Sequence, residues 1–239
     1  MKLHWAVATD PGRVRGHNED ALWPRPGPGG SADDEADGLL AMVADGMGGH
    51  VGGEEASRLT VEAAVAAEGD AVKRVLAANA AVVRNALDRP RLAGMGSTLT
   101  LAVFTGDTVE IGHIGDSRAY LYRDGALTQL TRDHSLMADM IASGELTPEQ
   151  AAVHPFRSVI TRAVGMESRV VVDRVRRDLH PGDRVLLCSD GLTSMLADAQ
   201  VAGLLAGGEA PQAAAVLVEA ANLAGGLDNI SVVVVDLLR

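Results

Sequence analysis

Four aspartates lie at the ends of the most apolar segments of the chain. Asp45, Asp116 and Asp190 follow apolar runs, and Asp228 precedes one. Apolar runs of this length, bounded by turn residues, predict buried β-strands. If several of these strand ends lie side by side, their carboxylates form an acidic cluster that requires cations. The alternative is that each Asp-Gly or Asp-Asn pair only makes a turn.

The chemistry of these carboxylates favours hard divalent cations. No two of the seven histidines have the spacing of a zinc site, and Cys188 is the only cysteine. Oxygen ligands alone select Mg²⁺ or Mn²⁺. Two such ions, roughly 3.5–4 Å apart, can activate a shared water molecule and clamp a phosphate for in-line attack. Such a site needs no protein nucleophile, and the carbonyl of Gly46, next to Asp45, is a further candidate ligand.

Two further segments are candidates for the site around Asp45. Residues 45–54 form a glycine-rich bend without the Gly-Lys-Ser/Thr of a P-loop, and we expect it to fold closely around the metal carboxylates. In residues 15–20, Arg15 has the planar geometry to bind a phosphate. Glu19 and Asp20 would then hold metal-bound waters. A solvated run of charges is the alternative for residues 15–20.

Hydrophobic periodicity separates predicted strands from predicted helices. The predicted strands are residues 3–9, 21–23, 39–44, 97–104, 108–114, 119–123, 127–130, 170–175, 184–188 and 230–236. The predicted helices are residues 54–68, 70–87, 198–207 and 211–224, with short helical pieces within 135–165. Residues 24–38 are rich in Pro, Gly, Ser and Asp, which predicts a mobile connection. Because helices come in pairs between groups of hairpin strands, we expect an α+β fold with antiparallel sheets covered by helix pairs.

The composition restricts the class of protein. The chain has 239 residues, of which 47% are hydrophobic, and a net charge of −11. The length fits one large domain or two small ones. The charge argues against binding to nucleic acid or to an anionic membrane surface. A single cysteine and the lack of an apolar leader favour a reducing, cytoplasmic location, and no apolar run is long enough to span a membrane.

Six segments, in this order along the chain, resemble the successive motifs of the metal-dependent protein phosphatases of the PP2C type. They read RGHNED (15–20), ADGMGGH (44–50) with GEEAS (53–57), GST (96–98), IGDSR (114–118), LCSDGL (187–192) and DNISV (228–232). Each motif alone is weak, but the ordered set is specific and covers nearly the whole chain. The bacterial serine/threonine phosphatases that oppose Hanks-type kinases are the most similar group.

This resemblance implies a fold and a set of metal ligands. The implied fold is a four-layer sandwich, in which two packed antiparallel sheets are flanked by pairs of helices. Asp45 would bridge two core ions, Mn²⁺ or Mg²⁺, with the carbonyl of Gly46 on one of them. Asp190 and Asp228 would complete the first ion site, and Asp116 with Asp190 would hold a third, weaker ion.

The resemblance also implies roles for residues around the ions. Arg15 would bind the substrate phosphate, and Glu19 and Asp20 would position water on the metal pair, with Asn229 behind the ligands. The insert at residues 135–160 resembles the flap that borders the family's substrate cleft. We therefore expect one phosphatase domain over residues 1–239, monomeric, acting on phosphorylated proteins opposite a Ser/Thr kinase. The sequence is also compatible with a domain excised from a longer chain.

One departure from the family pattern concerns the proton donor. Animal members carry a histidine directly after the metal-binding Asp-Gly, where this chain has Met47, as bacterial relatives do. Methionine cannot donate a proton. His50, three residues further on, is the candidate general acid. A metal-bound water that protonates the leaving alkoxide is the alternative that we favour.

Three other functions compete with a phosphatase of the general Ser/Thr class. A phosphatase acting on a partner-switching anti-sigma antagonist shares the fold, but such relatives often have fewer metal-site residues. A pseudophosphatase that binds phosphoproteins without turnover conflicts with the presence of Arg15, Asp45, Asp190 and Asp228. A two-metal nuclease conflicts with the acidic charge of the chain.

Overall fold

Two antiparallel sheets contain the strands of the computed structural model, which describes residues 2–48 and 50–238, apart from the side chains of residues 50 and 51. The strands are β1 (Leu3–Asp10), β2 (Asp20–Trp23), β3 (Ser31–Ala36), β4 (Gly38–Met47), β5 (Gly96–Ser97), β6 (Leu99–Thr105), β7 (Thr108–Ile114), β8 (Arg118–Arg123), β9 (Ala126–Gln129), β10 (Asp173–Asp178), β11 (Arg184–Cys188) and β12 (Ile230–Leu237). Sheet 1 has the order β3-β1-β12-β11-β8-β9. Sheet 2 has the order β10-β7-β6-β4-β2, with β5 paired to β4.

The described residues form seven α-helices. They are α1 (His50–Ala66), α2 (Ala71–Asp88), α3 (Leu136–Ala142), α4 (Pro148–Ala152), α5 (Asp190–Thr193), α6 (Asp198–Leu205) and α7 (Ala210–Leu223), with a 3₁₀ turn at Pro90–Leu92. The pair α1 and α2 packs on sheet 2, whereas α5, α6 and α7 pack on sheet 1. This arrangement confirms the predicted α+β sandwich of four layers. Among the described residues, no helix has both the length and the apolarity to cross a membrane.

The apolar strands alternate between two buried surfaces. In β12, Val233 and Val235 face the other sheet, while Val232 and Val234 face the helices on sheet 1. A strand that is buried on both faces has an almost continuous apolar sequence, because neither face needs polar side chains. Cys188 lies in the layer between sheet 1 and its helices, where burial raises the pKa of its thiol to about 12 and keeps it unreactive.

Some predicted boundaries are wrong. Residues 24–38 do not form only a mobile connection, because β3 (Ser31–Ala36) lies within them and pairs with β1. The strand predicted at residues 170–175 is β10, which begins at Asp173 and pairs with β7. Helix α1 begins four residues before its predicted start at residue 54. The short helical pieces predicted within 135–165 are α3 and α4.

Candidate functional site

Sheet 2 places two carboxylates side by side. Asp20, at the start of β2, lies directly opposite Asp45, near the end of β4. Thr98 holds Asp45 from both sides, because its hydroxyl accepts the N–H of Asp45 at 2.9 Å and its N–H donates to the carbonyl of Asp45 at 2.9 Å. The hydroxyl of Ser97 donates to the same carbonyl at 3.0 Å. The backbone that carries Asp45 is therefore fixed by the short segment before β6.

Sheet 1 and the connection between the sheets supply three more carboxylates. Asp190 begins α5 directly after β11, and Asp228 lies before β12. Because β11 and β12 are antiparallel neighbours, these two residues lie at the same sheet edge. A Cβ at Gly191 would lie 2.0 Å from the carbonyl oxygen of Asn229, so this close approach requires glycine. Asp116 lies in the turn where the chain passes from β7 in sheet 2 to β8 in sheet 1.

The two groups of carboxylates meet in a cleft of about 380 Å³ at the edge of the sandwich. Its lining consists of Arg15, Gly16, His17, Glu19, Asp45, Gly46, Met47, Gly48, Asp116, Ser158, Ile160, Asp190, Asp228 and Asn229. Asp20 does not line this cleft, although it lies opposite Asp45 in the sheet. The side chain of His50 lies outside the described residues, so its predicted role as general acid stays a prediction.

The clustering raises the pKa of several carboxyl groups. Burial, followed by repulsion from Asp20 and Asp190, raises the pKa of Asp45 well above its ordinary value. Burial raises the pKa of Asp20 to about 7, although hydrogen bonds to neighbouring hydroxyls oppose it. Burial and the charge of Asp190 raise the pKa of Asp116 to about 7. Burial and the charge of Asp228 raise the pKa of Asp190. Ionisation of this cluster is therefore disfavoured unless a cation compensates its charge.

The donor set of the cluster suits a hard divalent cation. Asp45 and Asp190 lie within hydrogen-bonding reach of each other, which requires a proton or a cation between two acceptor-only groups. Within the described residues, Oδ1 of Asp20 and Oδ1 of Asp190 are buried and have no hydrogen-bond partner. No three Asp, Glu, His or Cys side chains there already form a group that could hold one ion. Mg²⁺ usually takes one or two carboxylates and completes its shell with water, so fewer than three side chains per ion suffice.

Arg15 lies at the rim of the cleft. Its Nη2 donates to Oδ2 of Asp228 at 2.7 Å, across 213 positions of sequence. About half of the Arg15 side chain is exposed, so the guanidinium retains donors that face solvent. The sequence prediction of a phosphate-binding role did not include this ion pair with a predicted metal ligand.

The side chain of Asn229 forms hydrogen bonds to the segment that carries Arg15 and Glu19. Its Nδ2 donates to the carbonyls of Pro11 at 3.0 Å and His17 at 2.8 Å, and its Oδ1 accepts the N–H of Glu19 at 2.8 Å. The residue is buried, so bulk water competes little with these hydrogen bonds. The sequence placed Asn229 behind the ligands, and its partners are main-chain groups of residues 11–19.

Replacing Asn229 with Ala is expected to loosen residues 11–19 and to lower the free energy of unfolding by about 2–3 kcal/mol, because three buried hydrogen bonds are lost. Hydrogen exchange of that segment and chemical denaturation measure the two effects. Asn79→Ala is the matched control, since Asn79 is a buried amide that binds Glu167 and Gly165. The control should lower stability without changing exchange in residues 11–19. Unchanged exchange there in Asn229→Ala would contradict the assignment.

Two hydroxyl groups contribute to the site without having been predicted from the sequence. Ser189 donates from Oγ to Oδ2 of Asp20 at 2.8 Å and so connects sheet 1 to sheet 2. Thr98 was part of a recognised motif, but no role was assigned to it. A serine or threonine beside a strand-end aspartate is the signal that could have found both.

Comparison with known proteins identifies the family. Residues 17–207 match the family described as protein phosphatase 2C, which is most of the chain. The chain belongs to the protein phosphatase 2C family. Two relatives are named as Ser/Thr phosphatases. The Mycobacterium tuberculosis serine/threonine protein phosphatase PstP is 39% identical over 248 residues and 100% of this chain, which spans 46% of PstP. The Listeria welshimeri serine/threonine phosphatase stp is 36% identical over 98% of this chain and 96% of its own length.

Solved structures of protein phosphatase 2C members share the whole fold. The crystal structure of M. tuberculosis PstP has a TM-score of 0.88, 39% identity and complete coverage of both chains. A PstP catalytic domain in complex with two manganese ions has a TM-score of 0.86, 36% identity and complete coverage of both chains. The four-layer arrangement of this chain is therefore the fold of these bacterial phosphatases.

Proposed function

We propose that this chain hydrolyses phosphoserine and phosphothreonine in proteins, with two core ions of Mn²⁺ or Mg²⁺ and a weaker third ion. The observation that carries the proposal is the cluster of aspartates from both sheets, with two buried oxygens that have no partner among the described residues. Membership of the protein phosphatase 2C family and the Ser/Thr phosphatase names of two relatives support it. The manganese ions in a PstP structure support the choice of metal.

The carboxylates of both sheets would hold the ions. Asp45 would bridge the core pair, the Gly46 carbonyl would bind one of them, and Asp190 and Asp228 would complete the first. Asp116 and Asp190 would hold the third ion. When bound, divalent ions lower the pKa of coordinated water and neutralise charge on a phosphate. The half-buried position of the carboxylates keeps them accessible from the cleft.

Three side chains from residues 15–20 would act around the reacting phosphate. Arg15 has free donors at the rim and would bind the phosphate oxygens through its planar guanidinium. The carboxylate of Glu19 packs against Gly53 in α1, where an added Cβ would lie only 2.1 Å from Oε2 of Glu19. From this position Glu19 would orient water. Asp20 would orient water from its place opposite Asp45 in sheet 2.

The substrate, partner and domain assignments follow from the same proposal. The partners would be phosphorylated proteins, with a Ser/Thr kinase that produces them. We propose one phosphatase domain over residues 1–239, cytoplasmic and monomeric. The insert at residues 135–160 would act as a flap, because Ser158 and Ile160 line the cleft. A metal-bound water or His50 would protonate the leaving alkoxide, since Met47 cannot donate a proton.

Phosphate release from a phosphothreonine peptide tests the proposal. We expect turnover with Mn²⁺ or Mg²⁺, and loss of turnover when EDTA removes the metal. A phosphotyrosine peptide of the same sequence should be a poorer substrate. Turnover that persists in EDTA would overturn the metal mechanism. Tight binding of the phosphothreonine peptide without phosphate release would favour a phosphoprotein-binding pseudophosphatase instead.

A further inference from the structure

The two ends of the flap, residues 135–160, are hydrogen-bonded to each other at its base. The N–H of Leu136 donates to the carbonyl of Val159 at 2.9 Å, and the N–H of Thr161 donates to the carbonyl of His134 at 2.8 Å. An isolated β-bridge between Ser135 and Ile160 lies between these two hydrogen bonds. The two ends of the flap therefore move together, and whatever holds one end also holds the other.

Each end of this base is attached to a segment that carries a proposed metal ligand. After the flap, Val164 and Ser97 exchange two backbone hydrogen bonds of 2.8 and 3.0 Å. The hydroxyl of Ser97 in turn binds the carbonyl of Asp45. Before the flap, the N–H of His134 donates to the carbonyl of Gly115 at 2.7 Å, and Gly115 directly precedes Asp116.

The side chain of His134 makes the second attachment to the Asp116 turn. Its Nδ1 accepts the N–H of Gly115 at 3.1 Å. In a neutral imidazole, the proton is then on Nε2, which lies 3.2 Å from Oδ2 of Asp173 at an angle that falls short of a good hydrogen bond. Asp173 also pairs with Arg162, directly beyond the flap, at 2.9 Å. Burial lowers the pKa of His134, which agrees with the neutral form.

The two neighbours of Asp116 in this turn are held by different partners. Ser117 is held from sheet 2, because its hydroxyl lies 2.7 Å from that of Thr98 and its carbonyl accepts the hydroxyl of Thr100 at 2.8 Å, whereas Gly115 is held by His134. Gly115 has a φ of +112°, and a Cβ there would lie 2.5 Å from Cβ of Thr98. Glycine is therefore required, and the residue before Asp116 has no side chain of its own. Both main-chain polar groups of Gly115 bind His134. His134 does not line the cleft, so it has no contact with a substrate there.

We propose that His134 is a positioning residue that holds the flap base against the turn of Asp116 and thereby favours binding of phosphoprotein substrates over small phosphate esters. This inference rests on the proposed function and deepens it. A phosphopeptide is long enough to contact the flap, whereas an aryl phosphate occupies only the metal cleft. Loosening the base therefore raises the KM of the peptide more than that of the small ester.

Two substitutions of His134 separate its hydrogen bond from its volume. His134→Leu fills the space without an acceptor, whereas His134→Asn keeps an acceptor within reach of the Gly115 N–H. For His134→Leu we expect the KM of a phosphothreonine peptide to rise about ten-fold, the value of one buried hydrogen bond, with kcat little changed. The KM of p-nitrophenyl phosphate should change less than about three-fold, and His134→Asn should restore most of the peptide affinity.

Amide hydrogen exchange tests the same contact without substrate. We expect exchange at Gly115 and in the flap to accelerate about ten-fold in His134→Leu and to stay close to wild type in His134→Asn. Because this measurement requires no turnover, an inactive wild-type protein would contradict the proposed function but leave the test of His134 intact. Unchanged exchange in His134→Leu would overturn the inference.

His113→Asn is the matched control for loss of a buried imidazole. The rings of His113 and His134 lie 4.7 Å apart, but His113 binds Thr100 and the carbonyl of Arg132 rather than Gly115. We expect the control to lower stability and to leave the ratio of the two KM values within about two-fold of wild type. An equal change of this ratio in both variants would assign the effect to core packing and overturn the role of His134.

Discussion

Replacing Asp45 with Asn is expected to lower Mn²⁺-dependent phosphate release by at least about 1,000-fold. Loss of an outer-shell partner alone reduces metal affinity or activity by roughly 10–100-fold, and Asp45 is the proposed bridge between both core ions. The amide keeps the size of the side chain but removes the charge. Steady-state hydrolysis of a phosphothreonine peptide and calorimetric titration with Mn²⁺ measure the two losses.

The same substitution is expected to stabilise the protein in EDTA, by about 1–3 kcal/mol. Without metal, Asp45 must either ionise against burial and repulsion from Asp20 and Asp190 or take up a proton, and both cost free energy of folding. A neutral amide avoids both costs. Asp34→Asn makes the same change of charge on exposed β3 and should alter neither activity nor stability measurably. Activity within ten-fold of wild type, or a loss of stability in EDTA, would contradict the role given to Asp45.

Without divalent metal, the protein is expected to become more stable as the pH falls from about 8 to about 5. The folded-state pKa values of Asp20 and Asp116 are raised to about 7, above the unfolded value of 3.8. The folded state therefore binds more protons than the unfolded state between these values, and stability is lost as pH rises through this window. Because both residues are only half-buried, solvent screens part of this effect, and we expect a total of about 2–4 kcal/mol.

Mn²⁺ should reverse this pH dependence, because it replaces the protons that the carboxylates hold. We expect the melting temperature in Mn²⁺ to exceed that in EDTA most at about pH 8, and the difference to shrink as the pH falls through about 7. Differential scanning calorimetry in both conditions measures it. The control is the variant Asp45→Asn, in which the Mn²⁺ effect should be small. A metal-free protein that is most stable at alkaline pH would refute the electrostatic account.

The sequence was sufficient for elements whose pattern is local. The valines of β12 predicted a strand that is buried on both faces, and they fill the two layers on either side of sheet 1. Strand β3 was missed because Asp33, Asp34 and Glu35 remove any apolar alternation. It forms a strand because it pairs with β1, which is bound to β12 along its other edge. This pairing brings together residues that are distant in sequence, so local periodicity does not show it.

The position of the flap relative to the Asp116 turn also depends on a contact between residues that are distant in sequence. His134 lies in a stretch of mixed polar residues, and nothing in its neighbourhood indicates contact with Gly115, 19 positions earlier. The pairing arises because the chain returns past the end of β7 before it enters the flap. No local periodicity encodes such a return.

By itself, the sequence determined the types of the site residues: strand-end carboxylates, an arginine, and the ordered motifs of a protein phosphatase 2C domain. Only the tertiary structure decided how they combine. Asp20 and Asp45 come from sheet 2, Asp190 and Asp228 from sheet 1, and the bond from Ser189 to Asp20 crosses between them. The physical reason is that the separation of the carboxylates, and hence their charge repulsion and need for cations, depends on how the two sheets pack.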